Sequence, residues 1–264
     1  MNQQDFVSPL DDFYFRLVFA NPLVTSPLTN FIRALFPDHC QFMKDLVIID
    51  PSQNLGHKPV KTGLVSVLIT SELEITHNVE IVVTSNPLER VEAQLYVEDR
   101  QANRMFQGEL DKSKIDYVTT ILISGYPLTL GAPNFAKRVD FDLADSLDGE
   151  LLATGSLWTY ELPNLPLTLE NYNLWAWLRF LGARNELELL AAADLSPEID
   201  EAYRIFRSLV ADDRSRHYYN VWRAEMDQIM NEVYQSKSPA ELWPESSKLL
   251  ATFGQADKWS TILH

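Results

Sequence analysis

The sequence predicts an α/β domain built on a central sheet, followed by a region that is almost wholly helical. Short apolar runs typical of buried strands alternate with helical spacing up to about residue 162. After a proline-rich step at 163–166, the helical spacing continues nearly to the end. We therefore divide the chain into an α/β domain at 1–165 and a helical C-terminal region at 166–264, packed on or beside that domain.

The composition is that of a soluble globular protein. Of the 264 residues 46% are hydrophobic and 11% aromatic, which is enough for a sizeable core. No run of about 18 apolar residues is present, so we expect no membrane-spanning helix. The N-terminal residues lack the basic and apolar segments of a secretory signal, and the single cysteine, Cys40, cannot form an internal disulfide. We therefore expect a cytoplasmic protein.

The charge of the chain disfavours tight binding to nucleic acid. The chain has 22 Lys and Arg against 37 Asp and Glu, which gives a formal net charge of −15. Proteins that bind duplex DNA usually carry a basic surface, because neutralised phosphates release counterions. We expect any contact with DNA to be weak, although net charge does not exclude a local basic groove.

The α/β part begins with two short amphipathic helices. Asp11 and Asp12 are suitable N-caps for the first helix, and Asn21-Pro22 ends it, while Pro37 ends the second. The strands at 64–69 and 79–83 are apolar on both faces except for Ser66 and Glu80, as expected at the centre of a sheet, whereas the strand at 139–143 alternates apolar residues with Asp140 and Asp142. In chain order, the predicted elements are helices at 12–20 and 27–36, strands at 46–49, 64–69 and 79–83, a helix at 88–106, and strands at 117–124, 139–143 and 157–161.

The C-terminal region contains five predicted helices, at 169–181, 185–193, 197–210, 212–234 and 239–253. The fourth carries an apolar stripe formed by Tyr218, Tyr219, Trp222, Met226 and Ile229. This stripe could dock onto the core or form a dimer face, and we favour packing onto the core.

Most signatures of dedicated chemistry are absent from the sequence. It contains no Gly-rich nucleotide loop, no Gly-x-Ser-x-Gly turn and no pair of histidines at i, i+4 for zinc. The adjacent His39 and Cys40 do not by themselves indicate a metal site. Two groups of acidic and amide residues are interpreted as polar surface: Asp140, Asp142, Asp145 and Asp148 on a strand face and turn, and Glu92 and Gln94 on a helix.

Glu80 is the exception, because it interrupts an apolar strand. Its neighbours Val79, Ile81, Val82 and Val83 predict burial, and an uncompensated buried charge costs several kcal/mol. One interpretation is structural, with a nearby Arg or Lys or a wet strand edge as compensation. The other is functional, with Glu80 as a metal-binding acid on a strand.

The order of these elements resembles the core of the PD-(D/E)xK, restriction-endonuclease-like nucleases. The motifs are more specifically similar to the Rpn-type family of recombination-promoting nucleases and transposases. The segments that carry this resemblance are Asp12 to Phe19 with Arg16 in place of a lysine, Asn78 to Val83, Tyr96, Gly108, Tyr160 to Pro163, Trp177 to Leu181, Glu198 to Ala202 and Tyr219 to Asp227. Together they span roughly residues 11–230.

The resemblance implies a metal-dependent DNA endonuclease, a hydrolase whose cofactor is Mg²⁺, but key positions differ. The family places an Asp on the strand about fourteen residues before the Glu and a Gln two residues after it. Those positions here are Ser66 and Val82, so only Glu80 remains. Since no Asp lies between Asp50 and Asp99, a shifted register on these strands does not supply one.

Two hypotheses follow from this pattern. The first is a catalytically degenerate nuclease-fold protein without a cofactor, which acts as a binding or regulatory partner of itself or of a related nuclease subunit. The second is an active Mg²⁺-dependent endonuclease that aids recombination or transposition, with metal ligands relocated to residues such as Glu72 and Glu74. Asp12 could assist such a site, although an Asp before an apolar helix is more often a cap.

Overall fold

The computed structural model describes residues 6–37, 43–49, 63–85, 117–128, 134–144, 151–221 and 223–224, which form one six-stranded mixed sheet and a set of helices. The predicted α/β class is confirmed, and the sheet with its helices is consistent with a restriction-endonuclease-like fold. In chain order the elements are α1 Asp12–Phe19, α2 Ser26–Leu35, β1 Met43–Ile49, β2 Gly63–Ser71, β3 Thr76–Thr84, β4 Tyr117–Ser124, β5 Ala136–Ala144, β6 Leu151–Glu161, α3 Tyr172–Leu181, α4 Glu186–Ala193, α5 Pro197–Ala211 and α6 over 213–221.

The sheet has the strand order β1-β2-β3-β4-β6-β5. Strands β1, β2 and β3 form an antiparallel meander, β3, β4 and β6 run parallel, and β5 pairs antiparallel with β6 at the far edge. The central position of β3 and β4 explains why both are apolar on their two faces. As a result, Glu80 lies in the middle of the sheet.

Successive residues of β3 point to opposite faces of the sheet. Val79, Ile81 and Val83 belong to the main hydrophobic core, which also contains α1, α2 and the C-terminal helices. Val82 belongs to a smaller apolar cluster with residues of β2 and β4, so it lies on the opposite face. Glu80 has the same parity as Val82 and shares that second face.

The main core is dominated by aromatic side chains from helices that are distant in sequence. Phe19 and Phe31 contact Trp177 of α3 at ring-centroid distances of 5.6 and 5.5 Å. The indole Nε1 of Trp177 donates a 2.7 Å hydrogen bond to Oδ1 of Asn30 on α2. Phe206 of α5 contacts Tyr14 of α1 at 5.8 Å. The described C-terminal helices therefore share a core with the first two helices, while the division at residue 165 stays a prediction.

Several element boundaries differ from those predicted. β1, β3 and β5 each begin three residues earlier than predicted, at Met43, Thr76 and Ala136. β6 begins at Leu151 and not at Leu157, because Thr154 and Gly155 interrupt the apolar pattern but pair with both β4 and β5. α3 begins at Tyr172 and not at 169, because Asn171 supplies its N-cap. The predicted helices at 88–106 and 239–253, and the end of the helix predicted at 212–234, lie outside the described residues. No described helix is both long and apolar enough to span a membrane.

Candidate functional site

Glu80 is confirmed as a buried carboxylate, with 2% of its surface exposed. Its direct cross-strand neighbours are Ser66 on β2 and Thr120 on β4. Side chains of paired residues in adjacent strands lie on one face of the sheet, and in the antiparallel pair of Ser66 and Glu80 the Cβ atoms are about 5 Å apart. Ser66 and Thr120 are also buried, at 4% and 6% exposure. Glu80 therefore lies in a row between two hydroxyl side chains.

Ser66 makes a hydrogen bond to another neutral side chain on this face. Its Oγ donates to Oδ1 of Asn78, two residues before Glu80, at a long distance of 3.5 Å. Asn78 is 2% exposed, so the pair lies inside the protein. The position opposite Glu80 is thus filled by a neutral hydroxyl that has a protein partner.

Val82, two residues after Glu80, lies in an apolar environment. It is fully buried in the second-face cluster with Leu64, Leu122, Tyr126 and Leu128. At the edge of this cluster the hydroxyls of Thr84 and Tyr126 are 3.2 Å apart. A valine side chain has no atom that can bind a metal or orient a water molecule. Val82 therefore contributes to packing and has no group that could take part in catalysis.

Among the described residues, the polar side chains that share this part of the sheet face with the Glu80 carboxylate include the hydroxyls of Ser66 and Thr120 and the amide of Asn78. Mg²⁺ prefers oxygen ligands and is usually bound through one or two carboxylates together with water and substrate phosphates. Among the described residues, no group of three or more His, Cys, Asp or Glu could hold a metal ion. Within the described part of the chain, this set lacks the second carboxylate and the polar third group that commonly take part in metal-assisted cleavage of a phosphodiester, so it fits the Mg²⁺ implied by the resemblance poorly.

Glu72 and Glu74 do not reach Glu80. Both are exposed in the turn between β2 and β3, where Glu74 has a left-handed φ of 60°. The last pair before this turn is Thr70 with Thr76, four residues along the strand from the pair of Ser66 and Glu80. At about 3.3 Å per residue this separation is about 13 Å. In this structure Glu72 and Glu74 therefore lie too far from Glu80 to share a metal ion with it.

Asp11, and not Asp12, is the N-cap of α1. The Asp11 carboxylate accepts a hydrogen bond from the backbone N–H of Phe13 at 3.2 Å. Asp12 is the first helical residue, and its Oδ1 accepts from the same N–H at 2.9 Å. Since α1 packs in the main core, it lies on the face of the sheet opposite Glu80.

Asp11 also anchors the C-terminal helix α6. The hydroxyl of Tyr219 donates a 3.0 Å hydrogen bond to Asp11 Oδ2. The Tyr219 ring contacts those of Phe13 and Tyr14 at 5.6 and 5.0 Å. Tyr219 therefore packs onto the core, as we favoured for its stripe. Tyr218 is 52% exposed, and Trp222, Met226 and Ile229 lie outside the described side chains.

Burial shifts the pKa values of this anchor. Desolvation raises the pKa of Asp11 above its usual 3.8, and the bond from Tyr219, the charge of Arg223 and two backbone N–H groups only partly offset it. Desolvation and the Asp11 charge also raise the pKa of Tyr219. Tyr219 is therefore a neutral donor at physiological pH.

The other described residues that the sequence singles out do not join Glu80. Asp140 is exposed on β5 and forms a 2.8 Å ion pair with Arg138, as expected of a solvated strand face. Arg16 lies on α1, on the other side of the sheet. The residues that lie outside the described part of the chain are His39, Cys40, Glu92, Gln94, Tyr96, Gly108, Asp145 and Asp148, together with the side chain of Asp142.

Sequence reasoning missed a row of polar side chains on the core face of the sheet. His77 Nε2 lies 2.8 Å from Thr119 Oγ1, which in turn lies 2.8 Å from Ser156 Oγ. The three residues belong to β3, β4 and β6, so only the strand pairing brings them together. The one signal in the sequence was the presence of polar residues at core-facing positions of apolar strands.

The Glu-Leu-Pro step ends β6 with a second buried glutamate. Glu161 is 4% exposed, and its Oε2 accepts a 2.8 Å hydrogen bond from Asn164 Nδ2. It pairs with Ser124 at the end of β4, whereas Glu80 pairs with Thr120 four residues earlier. The two glutamates are therefore separated along the strands as well as across them, and they do not form a carboxylate pair.

A comparison with protein families decides the assignment. The model of the PD-(D/E)XK nuclease family transposases matches residues 9–233, which is most of the chain. The chain belongs to this family. No curated protein and no solved structure matches it. Members of the PD-(D/E)XK nuclease family typically depend on Mg²⁺.

Proposed function

We propose that this PD-(D/E)XK nuclease-fold protein has lost metal-dependent DNA cleavage and acts as a binding or regulatory partner, either of itself or of an active nuclease subunit. The observation that carries this proposal is the direct pairing of Ser66 with Glu80 in the middle of the sheet. The more specific Rpn-type assignment and a role in recombination stay predictions.

The physical argument concerns the charge that the site can offer a cation. A nuclease Mg²⁺ must be held while it neutralises charge on the phosphate, and carboxylates supply most of that binding. With Ser66 in place of an acid, one formal negative charge is lost beside Glu80. With Val82 next in the row, the water-orienting group is lost as well. The loss of the acid weakens metal binding, and the loss of the polar group at position 82 removes a contact that orients water. Each loss by itself reduces hydrolysis.

The competing function is an active endonuclease whose second acid comes from elsewhere in the chain. The described glutamates nearest in sequence do not supply it, because Glu72 and Glu74 lie at the exposed turn. The two functions differ in one measurable respect, which is the binding of a divalent cation that depends on Glu80.

The first prediction tests this difference by cation-dependent stability. A ligand that binds only the folded state raises the melting temperature, because it adds RT ln(1 + [L]/Kd) to the free energy of unfolding. We expect millimolar Mn²⁺ or Mg²⁺ to leave the melting temperature of the wild type unchanged. Ser66→Asp restores a second carboxylate opposite Glu80 and should create a Mn²⁺-dependent increase, measured by differential scanning fluorimetry.

Ser66→Asn is the matched control, because it has the size of the aspartate without its charge. It should show no Mn²⁺-dependent increase. In parallel, wild-type protein should fail to nick supercoiled plasmid DNA with either cation. Plasmid nicking by the wild type that disappears in Glu80→Ala would overturn the proposal and establish the active endonuclease instead.

A further inference from the structure

The helix α4 is apolar on both of its faces, although only one of them is buried. Leu189, Ala192 and Ala193 point into the main core or its margin. On the outer side Leu187 is 79% exposed and Leu190 is 42% exposed. A helix that is hydrophobic all round is normally buried on all sides. The outer face of α4 therefore has the composition of an interface.

The exposed residues of α4 form one continuous stripe. Leu187, Leu190 and Ala191 are exposed and follow the spacing i, i+3, i+4, which places them on one side of the helix. The exposed Asp194 continues the same side at i+7. The other strongly exposed leucines in the described part of the chain, Leu23 at 91%, Leu73 at 75% and Leu167 at 92%, lie outside helices and strands as single residues, which is normal for a protein surface.

Two opposite charges flank this stripe. Arg184 precedes the N-cap Asn185, and its backbone N–H donates to Glu188 at 2.9 Å. Asp194 is the C-cap residue, with its backbone N–H directed at the helix. Within the described residues, neither the guanidinium of Arg184 nor the carboxylate of Asp194 forms an ion pair. In the described part of the chain, the stripe is thus preceded by a cation and followed by an anion, neither of which has an ion-pair partner.

We propose that the α4 stripe binds a second copy of this chain, with the two α4 helices antiparallel about a two-fold axis that passes beside Leu189. In a two-fold interface the same patch meets itself, so residues equally far from the axis face each other. Positions 184 and 194 are five residues to either side of 189, and positions 187 and 191 are two. Arg184 therefore faces Asp194 of the partner subunit, and Leu187 faces the small Ala191 of the partner subunit.

This pairing covers the apolar stripe and also brings the opposite charges at its two ends together. Each dimer gains two symmetric ion pairs at the ends and places a large side chain against a small one near the axis. A parallel arrangement would put like charges together at both ends. The charge pattern therefore selects the antiparallel copy, and it does so independently of the proposed loss of cleavage.

The interface is small, so the association is weak. An eight-residue helix is about 12 Å long, and stable dimers usually bury roughly 1,600 Å² in total. We expect a dissociation constant on the order of 100 μM for the α4 contact. Such a dimer forms at high local concentration and exchanges rapidly.

The experiment is sedimentation velocity on the full chain from about 10 to about 500 μM, a range that brackets this affinity. The weight-average sedimentation coefficient of the wild type should rise from the monomer value towards that of a dimer. Leu187→Glu should hold it at the monomer value throughout. Leu167→Glu adds the same charge at an equally exposed leucine away from α4 and should behave as the wild type.

Charge reversal tests the antiparallel geometry itself. Arg184→Glu and Asp194→Arg should each weaken dimerisation by roughly threefold to tenfold, as expected for exposed ion pairs. The double variant restores both pairs in reversed order and should regain most of the wild-type affinity. A wild type that stays monomeric, an equal loss in Leu167→Glu, or a double variant weaker than both single variants would each overturn the proposal.

Discussion

Burial of ionisable side chains determines much of the chemistry at the scale of single residues. Asp11 is 6% exposed, and the cost of removing its carboxylate from water raises its pKa even though Tyr219 and Phe13 donate hydrogen bonds to it. A carboxylate whose pKa is higher in the folded state contributes most to stability when protonated. Its contribution is full below the unfolded pKa of 3.8 and is lost as the pH rises through the folded pKa.

The second prediction follows from the direction of the pKa shift of Asp11, and it uses the variant Asp11→Asn. Asparagine keeps the size and one oxygen for the N-cap, its Nδ2 can donate to the Tyr219 hydroxyl in place of the acceptor Oδ2, and it has no titrating proton. We expect the free energy of unfolding of the wild type, relative to that of Asp11→Asn, to decrease as the pH rises from 4 towards 7. Urea denaturation at each pH measures this difference. A relative stability that increases with pH would show that the folded pKa is lowered.

Tyr219→Phe is the control for the cause of the shift. It removes the hydrogen bond that favours the ionised Asp11 while keeping most of the ring packing. The pKa of Asp11 should rise further, so the loss of relative stability should move to higher pH. If Tyr219→Phe instead moved the loss to lower pH, the hydrogen bond could not be the group that favours the charge.

Single residues also show what the sequence can and cannot predict about the site. The burial of Glu80 and the position of Ser66 fourteen residues earlier could be predicted, since both depend on alternation within one hairpin. The bond between Asp11 and Tyr219 could not, because 208 residues separate them. The position of Glu74 at the exposed turn depends on where the hairpin reverses, which local apolar spacing fixes poorly.

Elements are predicted well where one local signal dominates. The bounds of β4 agree with the prediction because β-branched, aromatic and aliphatic residues fill nearly all of Tyr117–Ser124. α3 was predicted three residues too long at its start, because Asn171 and not the first apolar residue sets that end. Caps therefore set helix boundaries more closely than hydrophobic spacing does here.

The third prediction concerns Asn171, which links the ends of two helices. Its Oδ1 accepts from Leu174 N as the N-cap of α3, and its Nδ2 donates a 2.7 Å bond to the carbonyl of Ala34 near the end of α2. Asn171→Ala loses both bonds and should lower the free energy of unfolding by about 2–3 kcal/mol, since a cap and a buried acceptor each contribute about 1 kcal/mol or more. Urea denaturation measures the change.

Asn185→Ala is the matched control for the cap alone. Asn185 caps α4 by accepting from Glu188 N at 3.0 Å, and it is exposed at the surface. Its removal should cost about 1 kcal/mol. If both variants lost the same stability, the bond from Asn171 to α2 would contribute nothing to the contact between helices.

At the scale of the whole molecule, the fold joins segments that sequence composition separates. The proline-rich step at 163–166 predicts a boundary, yet Trp177 and Phe206 lie in the same core as Phe15 and Phe31. Composition could not reveal this, because the helices of both parts are amphipathic and their partners are not encoded locally. The net charge of −15, in contrast, is a property of the whole chain that no single contact explains.

The final prediction concerns the binding of DNA, which the family resemblance favours and the negative net charge disfavours. The family resemblance favours a DNA substrate, but a net charge of −15 repels the phosphate backbone and leaves few counterions to be released on binding. We expect duplex DNA to bind with a dissociation constant weaker than about 100 μM at about 150 mM salt, measured by fluorescence anisotropy. Submicromolar binding that weakens steeply with salt would reveal a basic groove and would favour an active nuclease over a partner protein.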